Sequence, residues 1–144
     1  TIDTRPTFAE SFAERRGIVV VETFNEGEAL PSGKTKQWVI RPKDRKPIAI
    51  AVIWEEWTGD TGSEPTFVMI TVPPNDLIGR ITDRMPAILR QENWPVWLGE
   101  SDASLADVKA LLKTFDDEGA WEMSEQTPSK SSKAAKEKPQ RDLF

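Results

Sequence analysis

Thr82-Asp83-Arg84-Met85-Pro86 sets a hydroxyl, a carboxylate and a guanidinium on adjacent residues, directly before the apolar run Ala87-Ile88-Leu89. The Thr82 hydroxyl can hydrogen-bond a sugar oxygen or a phosphate, but it cannot shuttle protons near neutral pH as an imidazole does. Taken on residues alone, the block has an ordinary alternative. Arg84 pairs with Asp83 or another nearby carboxylate, and Met85-Pro86 packs into a core. The second segment of interest is Glu22-Thr23-Phe24-Asn25-Glu26-Gly27, read as the polar exit from a buried strand. Its carboxylate, Glu26, is equally consistent with a plain loop end. Glu55-Glu56 and Asp116-Asp117-Glu118 are carboxylate pairs in name only. Consecutive residues point apart on a strand, and Asp116-Asp117-Glu118 sits where a helix is read to end, so both clusters read as solvated surface.

What is absent narrows the chemistry further. The 144 residues contain no cysteine and no histidine. This excludes disulfides, thiolate metal sites, thiol nucleophiles and imidazole general bases within the chain, so no metal or other cofactor is expected. There is no GxGxxG, Walker loop, HExxH or GxSxG sequence. Six tryptophans, Trp38, Trp54, Trp57, Trp94, Trp97 and Trp121, offer base-stacking surface or, for most of them, core. Lys34, Lys36, Arg41, Lys43, Arg45 and Lys46 form a local basic stretch on a chain of net charge −5. It can track a phosphate backbone, or it is a solvated hairpin.

The elements that would position these groups follow from periodicity. Pro6 to Arg16 reads as a helix stopped at Gly17. Gly17–Phe24, Lys36–Arg41, Pro47–Trp57 and Thr66–Val72 read as strands, the third long, apolar and central. Asn75–Ile81 and Arg90–Leu98 read as short helices. Ser104–Phe115 reads as an amphipathic helix with Ser104 as N-cap and Asp107 at N3. Strands and helices in this irregular order indicate an α+β fold without βαβ crossovers.

Composition changes near position 124. Residues 128–144 hold Lys130, Lys133, Lys136, Lys138 and Arg141 against Glu137 and Asp142, a net +3 that leaves −8 on the remainder. Ser124 to Pro139 has no large apolar residue, so 124–144 is expected to be a disordered tail and 1–123 the folded part. No apolar run approaches a membrane span, and no secretory signal pattern opens the sequence. Residue 1 is Thr, so the sequence is expected to be processed, trimmed or the remainder of something longer.

The order VVVETFNEG, KQWVIRP, PIAIAVIWEEW, TFVMITVPPNDLIGRITDRMPAIL, ENWPVWL resembles the SRAP family, the SOS response-associated peptidases. The resemblance runs from about Ile2 to Trp97, and the Asp-Arg-Met-Pro block in its flanking order is its most specific part. It implies a mainly antiparallel β-sheet or partly closed barrel with short flanking helices, gripping single-stranded DNA that carries abasic sites. In that family an N-terminal Cys captures the opened sugar's aldehyde as a thiazolidine, assisted by an Asn, a Glu and a His. Some members also cleave a propeptide.

Carried over residue by residue, Glu26 fits the family's Glu. Asp3 falls at the Asn of its Asn-Ala-Arg motif, and Arg5 at that motif's Arg. Thr82 stands where the family has His, while Asp83, Arg84, Met85 and Pro86 match. The Cys has no counterpart, and roughly the first third of the family domain is missing. The resemblance thus implies Glu26, Thr82 and Asp3 as catalytic positions, with Arg5, Arg84, Lys36 and Arg41 on DNA. Whether the chain is an enzyme stays open. The alternatives are a non-catalytic single-stranded-DNA-binding module and an incomplete fragment inactive alone.

The tail ends Gln140-Arg141-Asp142-Leu143-Phe144, two large apolar residues where nothing can bury them. The pattern resembles the peptide that binds the bacterial sliding clamp, with Gln140 in one subsite and Leu143-Phe144 in an apolar pocket. A linker of about 16 residues reaches about 20 Å on random-coil scaling. The alternative is that Leu143-Phe144 folds back onto the domain. These readings together imply a cytoplasmic, nucleoid-associated bacterial protein.

Overall fold

The computed structural model describes residues 6–116 and 118–127. Its centre is β4 (Ile48–Gly59), whose first six residues are all buried. On one edge β4 pairs antiparallel with β1 (Arg16–Val21). On the other it pairs with β5 (Gly62–Met69) along Val52–Gly59 and with β8 (Ile88–Leu89) at Ala49 and Ile50. The apolar run that marked β4 in the sequence reflects its first half, Ile48–Ile53, where the alternating side chains are buried on both faces of the sheet. A second sheet has the order β2 (Phe24–Ala29), β3 (Thr35–Pro42), β9 (Trp121–Glu125). A two-stranded ladder joins β6 (Thr71–Val72) to β7 (Met85–Pro86). The fold is α+β and mainly antiparallel, and the sheets do not close into a barrel.

Helix α1 (Pro6–Glu14) packs on the β4 face that carries Ala49, Ala51, Ile53 and Glu55, where Ser11 Oγ donates to Glu55 Oε1 at 2.6 Å. Gly17 is not the helix stop. The Arg16 guanidinium closes α1, donating to the carbonyls of Phe12 (2.7 Å) and Ala13 (2.6 Å). Its Nε reaches the Trp97 carbonyl at 2.6 Å, so one cation satisfies acceptors on two helices. Trp97, on α2 (Trp94–Leu98), is 0% exposed and donates its indole N–H to Gly17 O at 2.8 Å.

Five elements differ from the sequence reading. Strand β9 has no counterpart in it, and carries the fold through Glu125, past the expected boundary at 123. The strand expected over Gly17–Phe24 is two strands, because the chain turns at Glu22-Thr23 and β2 continues through residues read as an exit. The Thr66–Val72 strand begins earlier, at Gly62, and breaks at Ile70. Pro65 is accommodated within β5 because β5 is an edge strand. The Asn75–Ile81 helix is only a 3-10 turn, Ile78–Arg80. Helix α3 (Leu105–Ala110) ends five residues early, since Thr114 Oγ1 donates to Pro73 O and Phe115 packs edge-on to Trp121. The predicted start of α3 is found, with a reciprocal capping box between Ser104 and Asp107.

Candidate functional site

Strand β2 alternates half-buried Phe24, Glu26 and Glu28 with exposed Asn25, Gly27 and Ala29. Antiparallel partners share a face. The register Phe24↔Ile40, Glu26↔Trp38, Glu28↔Lys36 therefore sets Glu26 among Phe24, Trp38 and Ile40, with Glu28 and Lys36 beyond. Gly33, in the left-handed region at φ 78°, makes the turn that fixes this register, and its N–H donates to Leu30 O.

Burial holds the Glu26 carboxyl above its usual value, because removing it from water disfavours the ionised form. The Trp38 indole N–H donates to Glu28 Oε2 at 2.9 Å, and Lys36 Nζ lies 4.4 Å from the centre of the Trp38 ring. The two contacts fix the indole from its edge and its face. Lys36 also pairs with Glu125 of β9 at 3.1 Å. One sheet face thus presents a carboxyl with raised proton affinity, an ordered indole and an ammonium.

Arg41 does not join this group. It is an odd position of β3, on the opposite face, where its Nε bonds Glu122 Oε1 at 2.5 Å. Arg45 meets the same carboxylate oxygen at 3.0 Å, and these cations hold Glu122 below the ordinary carboxylate range. Lys43 donates to Gly119 O at 2.8 Å. Much of the basic stretch seen in the sequence is therefore matched by acceptors that β9 and its approach bring alongside.

Thr82 and Arg84 are held by other elements. Thr82 is half-buried after the 3-10 turn, its N–H donating to Ile78 O at 3.1 Å. Arg84 is exposed and does not turn to Asp83. It donates to Thr71 O at 2.6 Å and Thr71 Oγ1 at 3.2 Å, tying its loop to β6. Met85 is buried in the core and its sulfur accepts the Asn75 N–H at 3.3 Å. The Thr82–Pro86 block thus combines a structural half, Met85-Pro86, with an accessible half, Thr82–Arg84. Asp3, Arg5, Gln140, Leu143 and Phe144 lie outside the described residues.

The tryptophans divide. Trp97 and Trp121 are core, Trp38 and Trp94 are half-buried, and Trp54 and Trp57 are exposed. A cavity of about 560 Å³ lined by Lys43, Lys46, Arg90, Trp94, Phe115 and Trp121 was not evident from the sequence, since its walls come from separate segments. Arg90 lies 4.4 Å over the Phe115 ring. Among the described residues no acidic cluster is arranged to hold a metal ion, and no helix is long and apolar enough to cross a membrane.

Comparison with known proteins bears on this geometry. The family model for SOS response associated peptidase (SRAP) matches residues 1–128. The abasic site processing protein YoqW of Bacillus subtilis is 30% identical over 117 residues, 81% of this chain and 52% of the relative. YoaM of the same organism bears the same description and matches to the same extent. A crystal structure of a Bacteroides thetaiotaomicron protein superposes with TM-score 0.78 at 32% identity, covering 89% of this chain and 56% of that one. A Bordetella bronchiseptica protein shares the fold at TM-score 0.75 and 20% identity, covering 88% and 62%. The chain spans about half the length of the curated relatives it matches.

Proposed function

Because this chain belongs to the SRAP family of SOS response associated peptidases, we propose that it recognises abasic sites in single-stranded DNA as part of a bacterial DNA-damage response. The observation that carries this reading is the setting of Glu26. An abasic nucleotide lacks the base that ordinary readout uses and offers instead a sugar whose opened form is an aldehyde. A carboxyl whose proton affinity is raised by burial can donate to that oxygen and, once ionised, take a proton back. The Lys36 ammonium on the same face supplies a phosphate contact, which positions a strand without reading its sequence. Thr82 adds a hydroxyl and Arg84 a guanidinium from the second loop. Asp3 and Arg5 complete the set by their places in the family motif.

Covalent capture in this family joins the aldehyde to the amine and thiol of a Cys, with loss of water, to give a thiazolidine. The 144 residues contain no cysteine, so they supply recognition and proton handling and not the thiol. Autopeptidase activity would need that same thiol. The sequence pattern Gln140, Leu143, Phe144 supports a further partner, the bacterial sliding clamp, which would place the protein at replication forks in the cytoplasm.

Fluorescence anisotropy with a labelled single-stranded oligonucleotide containing one abasic site, against its intact counterpart, tests the reading. Abasic DNA should bind at least fivefold more tightly. A second reading, a non-catalytic single-stranded-DNA-binding module, draws on Thr82 in place of the family's His. Equal affinity for the two oligonucleotides would overturn the first reading in its favour.

A further inference from the structure

Trp38 stands in a row across the sheet face that carries Glu26, between Glu26 on β2 and Glu125 on β9. Directly opposed side chains have Cβ atoms about 5 Å apart, so a group that reaches the Glu26 carboxyl also meets the indole. That indole is held from several sides. Its N–H donates to Glu28 Oε2 at 2.9 Å, one step along β2 on the same face as Glu26. The Lys36 ammonium lies 4.4 Å from the ring centre, and an ion pair of 3.1 Å to Glu125 draws it there. The residue also packs against the main core.

An aromatic ring on a surface for single-stranded DNA ordinarily stacks a base, whatever its identity, because every base has a π-face. Trp38 does not offer its ring in that way, since Lys36 covers it. A nucleotide arriving at Glu26 with its base attached must push the ammonium off the indole and break its pair with Glu125, or turn the indole and break the bond to Glu28. A nucleotide without a base brings only its sugar to Glu26 and leaves these contacts in place. The ammonium has three N–H donors, so it can keep Glu125 and still contact a phosphate beside that sugar. Glu26 thus meets the sugar, and Trp38 meets whatever the sugar carries.

We propose that Trp38 is the residue that discriminates an abasic from an intact nucleotide, by filling the space beside Glu26 that a base would need. Glu28, Lys36 and Glu125 are the positioning residues that hold it there. The inference rests on the abasic-site reading and names the side chain that sets its selectivity.

The test is made at Glu28, because Lys36 is itself a phosphate contact. Glu28→Leu removes the acceptor of the indole N–H, whereas Glu28→Gln removes the same charge and keeps an acceptor. Losing a carboxylate strengthens binding to any phosphate chain, so the quantity compared is the ratio of affinities for the abasic and intact oligonucleotides. Against a parent ratio of at least five, Glu28→Gln should stay within twofold of the parent and Glu28→Leu should fall at least threefold. Trp38→Phe, which has no N–H to hold, should fall as far as Glu28→Leu. Urea midpoints of the two Glu28 variants identify any loss that comes from unfolding, and if Trp38→Phe does not fold the Glu28 pair decides alone. A parent ratio of five that survives Glu28→Leu overturns this proposal and leaves the abasic-site reading standing. Equal losses in Glu28→Gln and Glu28→Leu also overturn it, assigning the effect to charge and not to the place of the indole. A parent ratio of one overturns the abasic-site reading and this proposal with it.

Discussion

Glu26 and Trp38 stand opposite each other across the β2–β3 ladder, a carboxyl lifted by burial facing an indole fixed by Glu28 and Lys36. The pairing turns a carboxylate that the sequence leaves at a loop end into a side chain of defined direction. It also makes the group's protonation part of the protein's stability.

The first prediction concerns pH. The Glu26 carboxyl has a folded-state pKa raised above the ordinary 4.5. For an acid shifted this way, its contribution to stability is fully present below the unfolded value and is lost as pH rises through the raised folded value. Urea midpoints from pH 4 to pH 7 should therefore fall for the parent relative to Glu26→Gln. Glu122 and Asp107, both held low, impose the opposite trend on the whole protein, so the informative quantity is the difference between parent and variant. A difference that does not change with pH would refute the raised carboxyl.

A second prediction separates the two faces of the β2–β3–β9 sheet. Lys36 shares a face with Glu26, whereas Arg41 lies on the other; each is ion-paired, Lys36 with Glu125 and Arg41 with Glu122, so the face is what separates them. Lys36→Ala should weaken binding to abasic single-stranded DNA and reduce the slope of log affinity against log salt by about one. Arg41→Ala should change neither by more than twofold. Equal losses would mean that DNA wraps both faces.

Asn75 carries the third prediction. Buried between two segments, it accepts the Ile78 N–H through Oδ1 at 3.0 Å and donates through Nδ2 to Phe115 O at 3.0 Å. Asn75→Ala leaves both partners unpaired and should destabilise by about 2 kcal/mol, read as a lower urea midpoint at constant slope. Asn75→Asp keeps the acceptor and loses the donor, so its cost apportions the effect between the 3-10 turn and the Phe115 segment.

The fourth concerns the C-terminal peptide. Deleting residues 140–144 should reduce affinity for the bacterial sliding clamp at least tenfold while leaving affinity for single-stranded DNA within twofold. Surface plasmon resonance with immobilised clamp measures the first quantity. Unchanged clamp binding removes Gln140, Leu143 and Phe144 from that role.

Features that depend on near neighbours along the chain were legible before any fold was known. The apolar run of β4 announced a central strand, and the Ser104–Asp107 capping box was legible because its partners are three residues apart. The Thr82–Pro86 block was legible as a motif. Which faces these groups share depends on how distant strands pair. Polar Phe24–Ala29 becomes a strand because β3 pairs with it, and Trp121–Glu125 because β3 offers its other edge. Arg41 and Glu122 meet across 81 residues of sequence, a contact that no local pattern encodes. Side-chain direction in a sheet follows register, and register is set by long-range pairing. That is why residue types pointed to Glu26, Lys36 and Arg41 together, while the fold set the first two on one face and the third behind it.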